Sequence, residues 1–198
     1  MRIEIRNDSV VIDGYVNAVE RESRLIRDVQ GDFIEKVKAG TFAKALKKAN
    51  EVRMLLNHDD ERLLGSTKNG SLELHEDNIG LRAIATVTDA EVIEKAKNGE
   101  LRGWSFGFYV NEDEWEEREN APKLRTLTDI DLEEVSLIDN SKLPAYIATS
   151  VETRNDKEEV KELRELSGFK VVTEDLSKRN EPENNLKEFK SILEKLKK

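Results

Sequence analysis

The sequence predicts an α+β fold, in which a mainly antiparallel, closed or nearly closed β-barrel carries peripheral helices. Two observations support this prediction. Apolar residues recur at every second position in many short segments up to residue 138, as expected for half-buried strands. In this same part of the chain, two segments have the spacing and terminal residues of helices, one beginning at Gly40-Thr41 and one from Asp89 to Lys97.

The predicted strands follow one another with short turns between them. We place them at residues 3–5, 10–16, 33–37, 52–56, 63–66, 71–75, 81–85, 101–110, 124–131 and 132–138. Thr41 is the predicted N-cap of the first helix, and Asn98-Gly99 closes the second. The alternation of charge and isoleucine from Met1 to Arg6 predicts a strand rather than a signal peptide.

The composition fits a modest core under a heavily solvated surface, because 37% of the 198 residues are hydrophobic and 38% are charged. The net charge of −9 argues against a nucleic-acid-binding surface. No apolar run approaches the ~20 residues that cross a bilayer. The absence of cysteine excludes disulfides, and only two histidines, His58 and His75, disfavour a zinc site. We therefore expect no metal, cofactor, nucleic acid or membrane partner.

The composition changes near residue 150, where we divide the chain into a folded domain, residues 1–150, and a charged flexible tail, residues 151–198. Of the 48 tail residues, 12 are basic and 12 acidic, so the net charge of −9 lies in the domain. A short helix is predicted from Glu158 to Leu166. A C-terminal amphipathic helix is predicted from the apolar spacing of Leu186, Phe189, Leu193 and Leu196. The tail is either a flexible segment with a frayed helix or a segment that docks on a partner or on a second copy.

The strand from Leu101 to Val110 carries the clearest candidate for chemistry. Alternation puts Trp104, Phe106 and Phe108 on one face, suited to a core. The other face has only Ser105 between Gly103 and Gly107. Because glycines weaken strands, this spacing predicts the close approach of another backbone, such as a peptide substrate beside a serine nucleophile. The alternative is a tightly packed structural strand.

A serine nucleophile needs a base, and the base is usually oriented by a third group. His58 is the preferred base, since it follows an apolar strand, whereas His75 has the setting of a solvated turn residue. The third group would be a carboxylate from the strand 132–138. Alternation puts Leu132, Glu134 and Ser136 on one face and Glu133, Val135 and Leu137 on the other. It turns one of the two glutamates inward and does not decide between them. The alternative is that both are ordinary edge charges.

Several segments, in this order, resemble the prohead (procapsid maturation) proteases of tailed bacteriophages, whose fold is similar to that of the herpesvirus assembly protease. They are Gly40-Thr41-Phe42, Asn57-His58-Asp59, Leu64-Gly65, Glu76-Asp77, Gly80-Leu81, Gly99-x-Leu101, Ser105-Phe106-Gly107-Phe108, Leu132-x-Glu134-Val135-Ser136-Leu137 and Pro144-Ala145-Tyr146. The resemblance covers about residues 10 to 154.

The resemblance implies a serine endopeptidase with His58 as general base, Ser105 as nucleophile and Glu134 as orienting acid. The herpesvirus relatives use a second histidine as the third member, but no histidine follows Ser105 in this chain. The implied substrates are the major capsid protein with its scaffolding segment, and the protease itself. The implied location is the immature procapsid in the host cytoplasm. Related viral enzymes are activated as dimers, so a homo-oligomer is a further expectation.

Two other functions remain open at this stage. A non-catalytic capsid-assembly module of the same fold would keep the strands without the activity. An esterase is disfavoured, because Gly103-Trp104-Ser105-Phe106-Gly107 matches the Gly-x-Ser-x-Gly pattern only by its letters. In esterases that pattern is a turn between a strand and a helix, whereas here it lies within an extended segment.

Overall fold

A computed structural model describes residues 1–28, 31–141, 153–154, 159–165 and 170–177 of the chain. The strands in these ranges are β1 (Arg2–Ile5), β2 (Val10–Ala18), β3 (Phe33–Val37), β4 (Arg53–Leu56), β5 (Asp59–Ser66), β6 (Leu72–Glu76), β7 (Gly80–Val87), β8 (Leu101–Glu116), β9 (Lys123–Asp139), β10 (Thr153–Arg154), β11 (Glu159–Val160), β12 (Glu162–Glu165) and β13 (Val172–Asp175). The helices are α1 (Thr41–Lys48) and α2 (Ala90–Lys97).

The strands form two main sheets. The first has the order β13-β1-β2-β7-β6, and the second has the order β12-β8-β9-β4-β5, with β3 also paired to β9. Most pairs are antiparallel, but β3 and β4 run parallel to β9, and β13 runs parallel to β1. The short strands β10 and β11 pair with each other. The two longest strands, β8 and β9, are antiparallel partners at the centre of the second sheet.

The structure confirms the α+β class, since the described residues are mostly β with two helices. The closure into a barrel is not confirmed, because the pairings among these residues leave two separate open sheets. Closure depends on which strands pair across long stretches of sequence, and alternation within a strand carries no information about this. One hydrophobic core joins the two sheets and includes Ile12 of β2, Phe106 of β8 and Val135 of β9.

Helix α1 braces the serine strand. Its N-cap is Gly40, with a φ of 91°, so the prediction of Thr41 as the cap was wrong. The Thr41 hydroxyl instead donates to the carbonyl of Leu127, 3.2 Å away. The exposed backbone N–H groups of Gly40 and Ala43 are satisfied by the Glu76 carboxylate, each at 2.6 Å.

The packing of α1 on β8 is aromatic. Phe42 of α1 meets Phe106 edge-on, with ring centroids 5.4 Å apart, on the core side of the strand. Helix α2 begins as the sequence indicates: the Asp89 side chain accepts from the Val92 N–H, and Asn98 is the C-cap. Helix α1 therefore supports the second sheet from its core side, whereas α2 packs against β1, β2 and β13 of the first sheet. The opposite face of β8 and β9 carries the site.

Two segments beyond residue 150 join the main sheets. Strand β12 pairs antiparallel with β8, and β13 pairs parallel with β1. The helix predicted from Glu158 to Leu166 was wrong, since residues 159–160 and 162–165 are extended. Residues 162–165 are extended because they pair with the edge of β8. This pairing cannot be predicted from the charged, weakly periodic sequence of the segment itself. The predicted helix at Leu186 to Leu196 lies outside the described residues, and the boundary at residue 150 stays a prediction.

Two features are absent from the described residues. None of their helices is long and apolar enough to cross a membrane. No group of three or more histidine, aspartate or glutamate side chains among them is arranged to hold a metal ion.

Candidate active site

Strands β8 and β9 put four residues on one face of the second sheet. Ser105 lies opposite Ser136, and Gly107 lies opposite Glu134. Directly opposed residues of an antiparallel pair project to the same side, so these four positions face together, away from the core. The adjacent Phe106 and Val135 point into the core and hold the strands in place.

The register between β8 and β9 puts Glu134 on the site face, and a β-bulge next to it takes Glu133 out of the paired ladder. After the Gly107–Glu134 pair, the next pair is Phe108–Leu132, so Glu133 is an extra residue on β9. The bulge reverses the alternation, which puts Leu132 in the core although it is two residues from Glu134. The predicted shared face of Leu132, Glu134 and Ser136 was therefore wrong for Leu132. Glu134 is 0% exposed, whereas 27% of the Glu133 side chain is exposed.

The candidate base lies in a two-residue hairpin turn. Leu56 of β4 pairs with Asp59 of β5, and the turn between them is Asn57-His58. Both turn residues are left-handed, with φ of 57° and 61°, as a type I′ hairpin requires. Since β4 runs parallel beside β9, the turn at its end reaches the face that carries Glu134.

The three residues predicted to act together are in contact. His58 Nε2 lies 2.6 Å from Ser105 Oγ, and His58 Nδ1 lies 2.6 Å from Glu134 Oε1. Each ring nitrogen thus has its own oxygen partner. A neutral imidazole that donates from Nδ1 to the carboxylate leaves Nε2 free to accept a proton from the hydroxyl. This arrangement can convert a weakly nucleophilic serine into an alkoxide-like one.

A fourth residue, Ser136, contacts two members of this group. Its hydroxyl donates to Glu134 Oε2 at 2.7 Å and accepts the backbone N–H of His58 at 3.1 Å. Ser136 was not predicted from the sequence as a functional residue. The available signal was its position two residues after Glu134, on the same face of one strand.

The Ser105 hydroxyl has a second neighbour, the carbonyl of Arg164, 2.8 Å away. This carbonyl belongs to β12, which pairs with β8 from Ser105 to Phe108. A hydroxyl has one proton, so Ser105 donates either to Arg164 or to His58 at any moment. Ser105 is only 1% exposed, because β12 and the His58 turn cover it.

A serine on the open face of a strand, in contact with a histidine and a carboxylate, is the side-chain set of a serine peptidase. A family description of caudovirus prohead serine proteases matches residues 1–164. The chain belongs to this family. Its membership supports a role as a phage serine peptidase of capsid maturation.

One curated relative agrees with this membership. It is the prohead protease of Escherichia phage T5, 26% identical over 150 residues, which cover 68% of this chain and 68% of that protein. No solved structure matches the chain. From the sequence, Gly103 and Gly107 were expected to leave room for an extended peptide substrate.

Gly107 makes room for the chain's own groups. A Cβ at this position would lie 2.5 Å from Glu134 Oε1 and 2.8 Å from Lys161 Cε. Any side chain there would displace the carboxylate that contacts His58. Gly103 instead lines a cavity of about 380 Å³ with Gly14 and Trp104. In the described residues β8 pairs with β9 on one side and with β12 on the other, so the substrate-binding role of both glycines stays a prediction.

A charged cleft of about 510 Å³ opens beside His58. Its lining includes Arg62, Lys95 and Asp139. Burial alone would raise the pKa of Asp139, but hydrogen bonds from Ser141 and Lys95 hold that pKa well below its usual value. Asp139 is therefore a carboxylate at neutral pH, paired with Lys95 at 2.9 Å. The cleft is lined by paired charges of both signs and suits polar rather than apolar side chains.

Proposed function

We propose that this protein is a serine endopeptidase in which Ser105 is the nucleophile, His58 the general base and Glu134 the acid that orients the base. One observation carries this proposal. The hydroxyl, the imidazole and the carboxylate form a continuous chain with both contacts at 2.6 Å. The three residues come from β8, the turn after β4 and β9, so only the folded sheet brings them together.

The reaction follows from these contacts. His58 Nε2 takes the proton of Ser105 as Oγ attacks the peptide carbonyl carbon, and Glu134 stabilises the imidazolium that forms. The imidazolium then gives its proton to the leaving amine, which releases one product and leaves an acyl-serine ester. Water, deprotonated by His58, hydrolyses the ester and the proton returns to Ser105.

Catalysis requires two local changes at Ser105. The hydroxyl must donate to His58 rather than to the Arg164 carbonyl, since only the first hydrogen bond prepares it for attack. The Oγ atom must also become accessible, because the residue is 1% exposed. We expect substrate side chains to approach through the charged cleft beside His58, which is the described opening next to the reacting groups.

The proposed substrates are the major capsid protein with its scaffolding segment, and the protease itself, inside the immature procapsid in the host cytoplasm. The decisive experiment is co-expression of the cognate capsid protein with the wild-type chain or with Ser105→Ala. We expect processing of the capsid protein only with the wild type. A Ser105→Ala chain that processes it normally would refute the nucleophile assignment.

The same experiment tests the alternative function, a non-catalytic assembly module. If the protein were a non-catalytic assembly module, the wild type and Ser105→Ala would support capsid assembly equally and neither would cut.

Mass spectrometry of both purified chains tests self-cleavage. Loss of the tail, residues 151–198, only when Ser105 is intact would show that the protease removes it from itself. A tail retained in both chains would favour a segment that docks on a partner, and equal loss in both chains would point to a host protease.

A further inference from the structure

We infer that Ser136 is a positioning residue of the catalytic group, one that fixes Glu134 and the His58 turn relative to each other. This inference rests on the function proposed above. The supporting contacts are the hydrogen bond that Ser136 Oγ donates to Glu134 Oε2, at 2.7 Å, and the one it accepts from the His58 backbone N–H, at 3.1 Å.

Ser136 occupies the point where three strands meet. On β9 it lies opposite Ser105 of β8 and, on the other side, beside Leu55 of β4. The strand that carries the nucleophile and the strand that leads into the base are therefore both registered against this one residue. A small hydroxyl here touches the acid on its own strand and the turn of the neighbouring strand.

The hydroxyl has no spare rotational freedom. Its single proton goes to the Glu134 carboxylate, which has no proton to give, and its lone pair accepts from the His58 amide. Ser136 is 0% exposed, so water does not compete for either bond. In an ordinary two-residue hairpin the corresponding amide faces solvent, whereas here the side chain of a third strand holds it.

The consequence for Glu134 is a fixed carboxylate plane. Oε1 binds the imidazole at 2.6 Å and Oε2 binds Ser136 at 2.7 Å. Without Ser136, Oε2 would be a buried charged oxygen with no partner, which is unfavourable for an ionised group. The carboxylate would then rotate towards another donor, and this rotation weakens its contact with His58.

The first test is kinetic and uses the full chain. We expect Ser136→Ala to lower kcat about tenfold to hundredfold with KM unchanged, because the lost contacts hold the reacting groups and not the substrate. Ser136→Thr keeps the hydroxyl and should restore most of the rate. Ser66→Ala is the matched control, since Ser66 is also buried in a strand but lacks contact with the three reacting residues.

A double mutant separates positioning from a general structural effect. If Ser136 acts through Glu134, adding Ser136→Ala to Glu134→Ala should cost no further activity. Full additivity of the two losses, or loss of activity in Ser136→Thr together with a lowered Tm, would overturn the inference. If Ser136→Ala does not fold, Ser136→Cys is the second variant, since a thiol is nearly isosteric but donates poorly.

The second test does not depend on cleavage. The chain has two histidines, so His75→Gln leaves the His58 imidazole as the single one to follow by proton NMR. We expect a strongly downfield Nδ1 proton that persists in Ser136→Thr and is lost or moved upfield in Ser136→Ala. An unchanged signal in Ser136→Ala would overturn the inference. A changed signal in a chain that cuts nothing would support the positioning role and refute the proposed protease function.

Discussion

At the scale of single residues, the site is a cluster of polar groups buried on the outer face of a sheet. Ser105, Glu134 and Ser136 are almost completely inaccessible, yet each has hydrogen-bond partners within the cluster. Burial without such partners would cost about 1–3 kcal/mol per group. The cluster is therefore stable as a network and is sensitive to the loss of any one member.

Replacement of the acid tests the network at this scale. Glu134→Gln keeps the shape but presents an amide to His58, so the imidazole loses its counter-charge and its preferred tautomer. We expect kcat to fall by about 10²- to 10⁴-fold, measured with a fluorogenic peptide. The matched control is Glu133→Gln on the same strand, whose side chain points away from the site. Equal losses in both variants would contradict the assignment of Glu134.

Sequence reasoning located the candidate base and nucleophile, because a histidine after an apolar strand and a serine between two glycines are visible locally. The choice between Glu133 and Glu134 was not decided by alternation, because it depends on the register and on the adjacent bulge, which exist only when β8 and β9 pair. The contacts of Ser136 and of the Arg164 carbonyl were missed for the same reason. Each depends on the register between distant strands.

At the scale of elements, β12 is held on the serine strand by a buried charge network. Arg164 of β12 binds Glu35 of β3, and Glu162 of β12 binds Arg125 of β9. Arg125 also binds Glu35, and it binds Asp113 at 2.7 Å. Burial alone would lower the pKa of Arg164, but the neighbouring carboxylates of Glu35 and Glu162 raise it. The guanidinium therefore stays charged and ties β12 to the sheet.

Removal of one charge from this network should destabilise the protein. Glu35→Gln removes a carboxylate that pairs with both Arg164 and Arg125. We expect the free energy of unfolding, measured in urea, to fall by about 3 kcal/mol. The control is Glu22→Gln, which breaks an exposed pair with Arg118 and should cost less than about 1 kcal/mol. A loss as small as that of the control would show that the network contributes little to the docking of β12.

The contact between α1 and β9 predicts a pH dependence. Asp129 of β9 binds Lys44, at 2.5 Å, and Lys48 of α1, and these hydrogen bonds lower its pKa from 3.8 to about 2. A lowered folded-state pKa stabilises the fold above pH 3.8, and this contribution disappears as the pH falls towards 2. We expect a contribution of about 1–2 kcal/mol, reduced by solvent screening.

Urea unfolding between pH 5 and pH 2 measures this contribution. The wild type should lose stability through this window more steeply than Asp129→Asn, which has no carboxylate to protonate at that position. At pH 2 the two proteins should be nearly equally stable. Parallel curves for both proteins would contradict the assigned role of the α1–β9 ion pairs.

The sequence predicted the central elements better than the peripheral ones. The structure confirms the helix from Ala90 to Lys97 and the strands β4 and β8, although β8 continues beyond the predicted end at Val110 to Glu116. The segments 124–131 and 132–138, predicted as separate strands, form the single strand β9. Strand β12 was predicted as helix, because half of its local composition is charged. Its extended form results from pairing with β8 and from the buried partners of Glu162 and Arg164, which are remote in sequence.

At the scale of the whole molecule, the fold uses one face of the second sheet for the core and the other for the site. The α+β class follows from periodicity, because it needs only the number and type of elements. The arrangement of the strands does not, since β9 pairs with β8 and also with the parallel strands β3 and β4, which are remote from it in sequence. For the same reason the barrel closure predicted from the sequence is not confirmed.

The most direct test of the central proposal is to locate a covalent serine-directed label. The full chain is incubated with a fluorophosphonate long enough to allow for slow reaction at a buried hydroxyl, and the adduct is mapped by mass spectrometry. We predict a single adduct on Ser105 in the wild type and none in His58→Ala. An adduct on another serine, or cleavage of the capsid protein by a chain whose Ser105 is never labelled, would contradict the proposal.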